Sequence, residues 1–329
     1  MRIVCRALFT GLSLCLASLA QTQAPSEPII DMHLHAMPAD HYGPPPTFIC
    51  APFDEWPSWD PKTGGMAYAD KVSGHPPCAH PLRSGATDDA ILQDTLSMLE
   101  KYNITAVTSG EGALLDKWKA AGGRRILPAT YLNKASAPSI EALRLEVRTK
   151  GIVAIAEVGE QYGGIAANDA SLEPLYSLAE ELDIPIGIHM GPGPPGVPYF
   201  GAKGYRMRMS SLLLLEDVLV KHPKLRVWAM HAGWPLADDT IAALYAHPQL
   251  YVDLAVIDYT TPKAEFYQFL KRLVDAGFES RIMFGSDQML WPDAIPAAIS
   301  TIQGAPFLSA KQKRDIFYNN AARFLRLTP

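Results

Sequence analysis

The sequence predicts one α/β domain folded as a (β/α)8 (TIM) barrel. Three observations carry that expectation. Eight short, β-rich apolar runs alternate with helical patterns along the chain. Most of the runs are continuously apolar rather than alternating, as parallel strands covered on both faces are. No glycine-rich phosphate loop follows the first run, which argues against an open, doubly wound sheet.

The chain has 329 residues and opens with a segment outside the expected fold. Arg2 and Arg6 precede the apolar stretch ALFTGLSLCLASLA, which ends in small residues at Ser18 and Ala20. These are the parts of a signal peptide, with cleavage expected after Ala20. The stretch is short for a membrane span. Residues 1–20 therefore read as a signal peptide and 21–329 as an exported domain, periplasmic or secreted, with no membrane attachment after cleavage.

The expected strands are IIDMHLH (29–35), ITAVTSG (104–110), RILPATYL (125–132), IVAIAEVGE (152–160), PIGIHMG (185–191), RVWAMHAG (226–233), LYVDLAV (250–256) and RIMFGSD (281–287). Helix patterns lie between them. TDDAILQDTLSMLEKYN opens with Thr87 as N-cap and two acids in the first turn. TPKAEFYQFLKRLVDAG has Thr261 as expected N-cap, Pro262 at the first helical position and Gly277 just past the end. SSLLLLEDVLVKHP and SAKQKRDIFYNNAARFLRL behave similarly.

One segment breaks the rhythm. Residues 36–86 are rich in proline, glycine and aromatics, including Phe48, Phe53, Trp56, Trp59 and Tyr68. So long a connection in a compact domain is usually functional or disordered. Its aromatic content argues against disorder, so it reads as a lid across the barrel mouth. Cys5 and Cys15 leave with the signal peptide, which leaves Cys50 and Cys78 inside the lid. Export permits a disulfide between them. Two free thiols, or ligands of a separate metal, are the competing readings.

Net charge is −5 and the sequence pI about 6.0, with no basic run. Neither nucleic acid nor an anionic membrane is an expected partner. A small molecule is, and the chain is compatible with a homo-oligomer.

In a barrel of this kind chemistry sits at the C-terminal ends of the strands. His33 and His35 end the first run, and residues i and i+2 of a strand project together. Glu157 lies near the end of the fourth run, with Glu160 just beyond. His189, His231 and Asp287 end the fifth, sixth and eighth. Imidazoles and carboxylates gathered in this way suit zinc or a similar divalent ion. His222 and His247 precede prolines at helix ends and read as structural, while His41, His75 and His80 in the insertion stay open. Arg206 and Arg208, in the loop after the fifth run, are candidates to grip a substrate carboxylate; two exposed loop arginines are the plain alternative. Trp234 could wall a pocket or pack in the core. Tyr251 and Asp253 read as structural, and Asp287 could instead cap a following helix.

Together, DMHLHA, AEVGE, GIHMGPG, MHAGWP and FGSDQ, in that order, resemble the amidohydrolase superfamily. The likeness is nearest to its amidohydrolase-related branch of lactonases and metal-dependent decarboxylases, and it runs from Ile29 to the last helix. The resemblance implies that His33, His35, His189 and Asp287 are metal ligands; with two carboxylate oxygens, Asp287 can also be the proton acceptor. It makes His231 a ligand in a two-metal site or a substrate-orienting group in a one-metal site. Many members carry a carboxylated lysine on the fourth strand; here Lys150 precedes the strand and Glu157 stands in that region, as glutamate does in another branch. One ion or two are both open on this reading. The expected activity is metal-assisted attack of water on the carbonyl of a small amide, lactone or other ester, the substrate carrying a carboxylate if the arginines serve it. A decarboxylase on the same scaffold, and a non-catalytic binding barrel, are the alternatives.

Overall fold

The computed structural model describes residues 27–132 and 138–327, so the signal-peptide reading falls outside the described residues. Eight strands form one parallel sheet in sequence order: β1 (Ile29–Ala36), β2 (Ile104–Gly110), β3 (Ile126–Leu132), β4 (Ala154–Val158), β5 (Ile186–His189), β6 (Val227–Met230), β7 (Leu250–Asp253) and β8 (Ile282–Met283). The sheet closes on itself through the chain just after β8. Met32 N–H donates to the Phe284 carbonyl at 2.9 Å, Asp287 N–H to the His33 carbonyl at 2.7 Å and His35 N–H to the Gln288 carbonyl at 2.9 Å. This is the (β/α)8 barrel expected.

Helices alternate with the strands: α1 (Asp88–Lys101), α2 (Gly112–Gly122), α3 (Ile140–Lys150), α4 (Glu173–Glu181), α5 (Glu216–Lys221), α6 (Ala237–Ala246), α7 (Lys263–Asp275) and α8 (Ala294–Gln303). Thr87 caps α1 as expected, its hydroxyl accepting from Ala90 N–H. α7 starts one residue later than read. Pro262, with ψ of 126°, is its N-cap rather than its first helical residue, and Thr261 is extended outside the helix. The apolar core lies between strands and helices, where residues such as Ile155, Ile186, Leu219, Val252 and Phe266 are fully enclosed.

Most strands are shorter than their apolar runs. β8 shows why most clearly. Phe284 N–H goes to the Ile316 carbonyl of the C-terminal helical segment, and Asp287 adopts a positive φ of 46°. The chain turns where the site begins. The pairing register also shifts between Asp31 and Leu34 on β1 and between Ile155 and Val158 on β4. Such irregularities re-aim side chains, and these two bracket His33 and Glu157.

The insertion after β1 is ordered. Phe48–Ile49 pairs antiparallel with Leu82–Arg83 at its base. Cys50 and Cys78 are disulfide-bonded, with Cα atoms 5.8 Å apart. Cys50, Phe53, Tyr68 and Val72 form a small core of their own. Phe53 N–H donates to the Thr260 carbonyl at 2.9 Å, and Trp291 Nε1 to the Thr47 carbonyl at 3.2 Å, fastening the insertion to the barrel. Cross-linking over a separation of 28 residues stabilises by about 3–4 kcal/mol in the chain-entropy model. Reduction is therefore expected to expose the 50–78 segment to limited proteolysis while the far-ultraviolet circular dichroism of the barrel persists. Equal cleavage of oxidised and reduced protein would show that the bond does not hold this segment.

Candidate metal centre

Six side chains converge at the C-terminal ends of the strands: His33 and His35 from β1, Glu157 from β4, His189 from β5, His231 just after β6 and Asp287 after β8. All are buried. His33 Nε2 and His35 Nε2 are 3.1 Å apart. Glu157 Oε2 lies 3.4 Å from the first and 3.2 Å from the second. Asp287 Oδ1 lies 3.5 Å and 3.1 Å from the same two nitrogens. On the opposite side, Glu157 Oε1 is 3.7 Å from His189 Nε2 and 4.0 Å from His231 Nε2. Glu157 thus faces one histidine pair with each oxygen.

The ring orientations follow from the atoms behind them. His33 Nδ1 is 3.2 Å from Asp253 Oδ2, His189 Nδ1 is 2.8 Å from Gln161 Oε1, and His231 Nδ1 is 2.9 Å from the Ala255 carbonyl. Each partner is an acceptor, so each Nδ1 carries hydrogen and donates it, and Nε2 is turned to the centre. Gln161 is held in turn by donating from Nε2 to Ser210 Oγ at 2.9 Å. Asp253 does more. Its Oδ1 accepts from His231 N–H at 2.8 Å and its Oδ2 from Trp228 Nε1 at 3.2 Å, so one carboxylate sets two of the histidines.

The backbone at His231 is unusual. His231, Ala232 and Gly233 have φ of 63°, 53° and 68°. The left-handed region disfavours the first two, and such geometry persists only where the surroundings enforce it. A Cβ at Gly191 would stand 2.3 Å from His231 Cβ, so the loop after β5 comes this close only as glycine.

Electrostatics explain what the pocket requires. Burial drives His189 down to about 3, so it is neutral and its Nε2 keeps a lone pair, which faces the Tyr162 hydroxyl 3.0 Å away. Burial also opposes charge on His33, but the Asp287 and Asp253 carboxylates outweigh it and hold the imidazolium well above its ordinary range. Burial opposes charge on Glu157 too, yet the surrounding histidines hold it well below the usual carboxylate range. A positive charge is therefore demanded among these groups. Among the described residues, Glu157 Oε1 and Asp287 Oδ1 have no hydrogen-bond partner of sound geometry, although imidazoles surround them. Three donor triplets have ligand atoms mutually within 4.8 Å: His33–His35–Glu157, Glu157–His189–His231 and His33–His231–Asp287. Nitrogen and oxygen donors aimed at shared points, with acceptors left over, fit a divalent cation. Removing the carboxylate behind them tests the arrangement: Asp253→Asn is expected to weaken metal affinity by about 10–100-fold, measured by competition with a chromogenic chelator. Unchanged affinity would make Asp253 a packing residue only.

All six candidate ligands are brought together. Asp287 is not a helix cap: α8 begins seven residues later, with Asp293 at its N-cap. Above the ligands lies a cavity of about 500 Å³ that reaches Asp287 and is roofed by the insertion. Trp234 and Arg206 line it; Arg208, exposed in a one-turn 3₁₀ helix, does not. His222 and His247 are structural, though through acids rather than helix carbonyls. His222 stands 3.1 Å from both Glu173 and Glu180, and His247 3.6 Å from Glu216. His41, His75 and His80 do not line the cavity, and Glu160 is buried in the turn after β4. Sequence reasoning treated Asp253 as structural and passed over Gln161 and Tyr162, whose hydroxyl is 3.0 Å from His189 Nε2. The signal for Asp253 was its place at the end of a barrel strand.

The sequence profile of the amidohydrolase family matches residues 30–327. No curated protein matches the sequence. Among solved structures, the chain is similar to a probable 2-pyrone-4,6-dicarboxylic acid hydrolase from Acinetobacter baumannii with citric acid bound (14% identity, 92% of this chain and 100% of that one, TM-score 0.57). It is similar to 2,6-dihydroxybenzoate decarboxylase from Rhizobium (15% identity, 92% and 99%, TM-score 0.56). It is also similar to a 5-carboxyvanillate decarboxylase variant from Novosphingobium aromaticivorans with bound manganese and a nitrobenzoic acid (14% identity, 70% and 80%, TM-score 0.52). At these identities the likeness concerns the fold, which both hydrolases and decarboxylases share.

Proposed function

We propose, from the premise that the chain belongs to the amidohydrolase family, that it is an exported, metal-dependent hydrolase of a small ester, lactone or amide. The observation that carries this reading is the two-sided placement of Glu157. One oxygen joins the His33–His35 side and the other the His189–His231 side. A carboxylate so placed suits a bridge between two ions, and paired ions are a common device of hydrolases. The donor set is the nitrogen-and-oxygen mixture that zinc favours, although manganese is compatible with the same donors.

Bound at these ligands, divalent ions supply a Lewis acid for the carbonyl oxygen and lower the pKa of water toward neutrality. The chain's own residues do the rest. Asp287 lines the cavity and is held by its N–H bond to the His33 carbonyl, so its carboxylate faces both the ligand cluster and the substrate space. It takes the proton of the attacking water and returns it to the leaving group. His231 is fixed by the Ala255 carbonyl and presents Nε2 inward. The insertion roofs the space that the substrate would enter.

The test is a panel of esters, lactones, amides and aromatic carboxylates offered to zinc-loaded protein in ¹⁸O-labelled water. The reading expects label in a new carboxyl group. Release of carbon dioxide without label uptake would instead assign the decarboxylase activity.

A further inference from the structure

Resting on that hydrolytic reading, we propose that the substrate is an uncharged carbonyl compound with an apolar, ring-sized body, selected by the aromatic roof of the insertion. The roof is a run of touching rings. Phe53 and Trp56 stack at 5.0 Å between centroids with planes 29° apart, and Trp56 meets Trp234 of the barrel at 6.4 Å. Tyr42 and Trp291 stack at 5.8 Å and 15° and also line the cavity. Rings of this kind offer large apolar area at little entropic cost. A volume of about 500 Å³ is within the usual range for a small ligand with one or two rings.

The polar inventory argues as strongly. Among the described residues lining the cavity, Arg206 is the one cation. It is exposed, and its Nη1 already donates to the Lys203 and Tyr205 carbonyls at 2.9 Å and 2.7 Å. The Tyr42 hydroxyl is spent on Met289 Sδ, that of Tyr205 on the Gly191 carbonyl and that of Thr260 on the Val256 carbonyl. Trp234 Nε1 is buried with no partner among the described residues, and it is a neutral donor. Away from the ligand cluster, a carboxylate set against these rings would lose hydration with no lining cation other than the exposed Arg206 to offset it. The pair of arginines that sequence alone offered as a carboxylate grip is not assembled here, since only Arg206 reaches the cavity and it is exposed.

The experiment uses the mature, zinc-loaded protein and isothermal titration with three hydroxamates: acetohydroxamate, phenylacetohydroxamate and its 4-carboxy derivative. The phenyl compound is expected to bind at least about tenfold more tightly than the other two, a difference of about 1.4 kcal/mol. Trp56→Ala is expected to remove that advantage and Trp56→Phe to keep most of it. Equal or tighter binding of the 4-carboxy compound overturns the proposal, as does an advantage that Trp56→Ala leaves intact. If no hydroxamate binds, the metal reading fails by itself. The pocket is then judged with 2-naphthol, titrated by tryptophan fluorescence: binding that Trp56→Ala weakens about tenfold supports it, and no binding overturns it.

Discussion

Asp287→Asn is expected to lower turnover by about 10²–10⁴-fold, the usual contribution of a positioned general base, while the protein stays folded and largely metallated. Asparagine keeps the shape of the side chain and an oxygen able to coordinate, but it cannot accept the proton of water. The position tolerates the change structurally, because the backbone N–H bond to the His33 carbonyl and the left-handed φ of 46° do not depend on the carboxylate. Steady-state kinetics on the substrate found by the panel, with circular dichroism and elemental analysis of the same preparation, give the answer. A folded, metallated Asn variant turning over at close to the wild-type rate would remove Asp287 as the base, and Glu160 and Glu157 would be the next groups to test.

Replacing His33 and His35 together by alanine is expected to have a larger effect. Their Nε2 atoms and Glu157 Oε2 form one complete triplet, so the double variant loses that ion outright. The Glu157–His189–His231 triplet keeps its three donors and can still hold the other. Activity should fall by about 10⁴-fold or more, because both the ion that activates water and the groups that hold it are lost. Metal content should fall but not vanish. Equal metal in the wild type and the double variant would place the ions elsewhere in the molecule.

The ligands could be read from sequence because each lies at the end of an apolar run, where a barrel gathers its strand ends. IIDMHLH and RVWAMHAG place their histidines there whatever the helices between them do. Strand lengths were less legible. RIMFGSD reads as seven strand residues but yields only Ile282–Met283 as sheet, because bonds to the C-terminal segment and to β1 divert the chain toward the site. The start of α7 moved by one residue because proline's fixed φ suits an N-cap as well as a first turn. Asp253 was hidden for a different reason. In LYVDLAV the one local signal is that the carboxylate ends a strand, and it does not reveal that the group supports two histidines; those lie in β1 and just after β6, distant in sequence. The two-sidedness of Glu157 is equally invisible, since it depends on histidines from β1, β5 and the turn after β6, all distant in sequence. Aromatics in the insertion were evident as ordering elements, but their assembly into a roof required Trp234 and Trp291 from other loops.

The most direct test of the two-ion centre is a count. Protein lacking residues 1–20 is equilibrated with zinc, freed of excess by gel filtration and measured by elemental analysis beside Glu157→Ala. The expected result is about two ions per chain in the wild type and about one or fewer in the variant, both folded by circular dichroism. One ion or none in folded wild-type protein, or a Glu157→Ala protein that still binds as much zinc as the wild type, would contradict a centre bridged by Glu157.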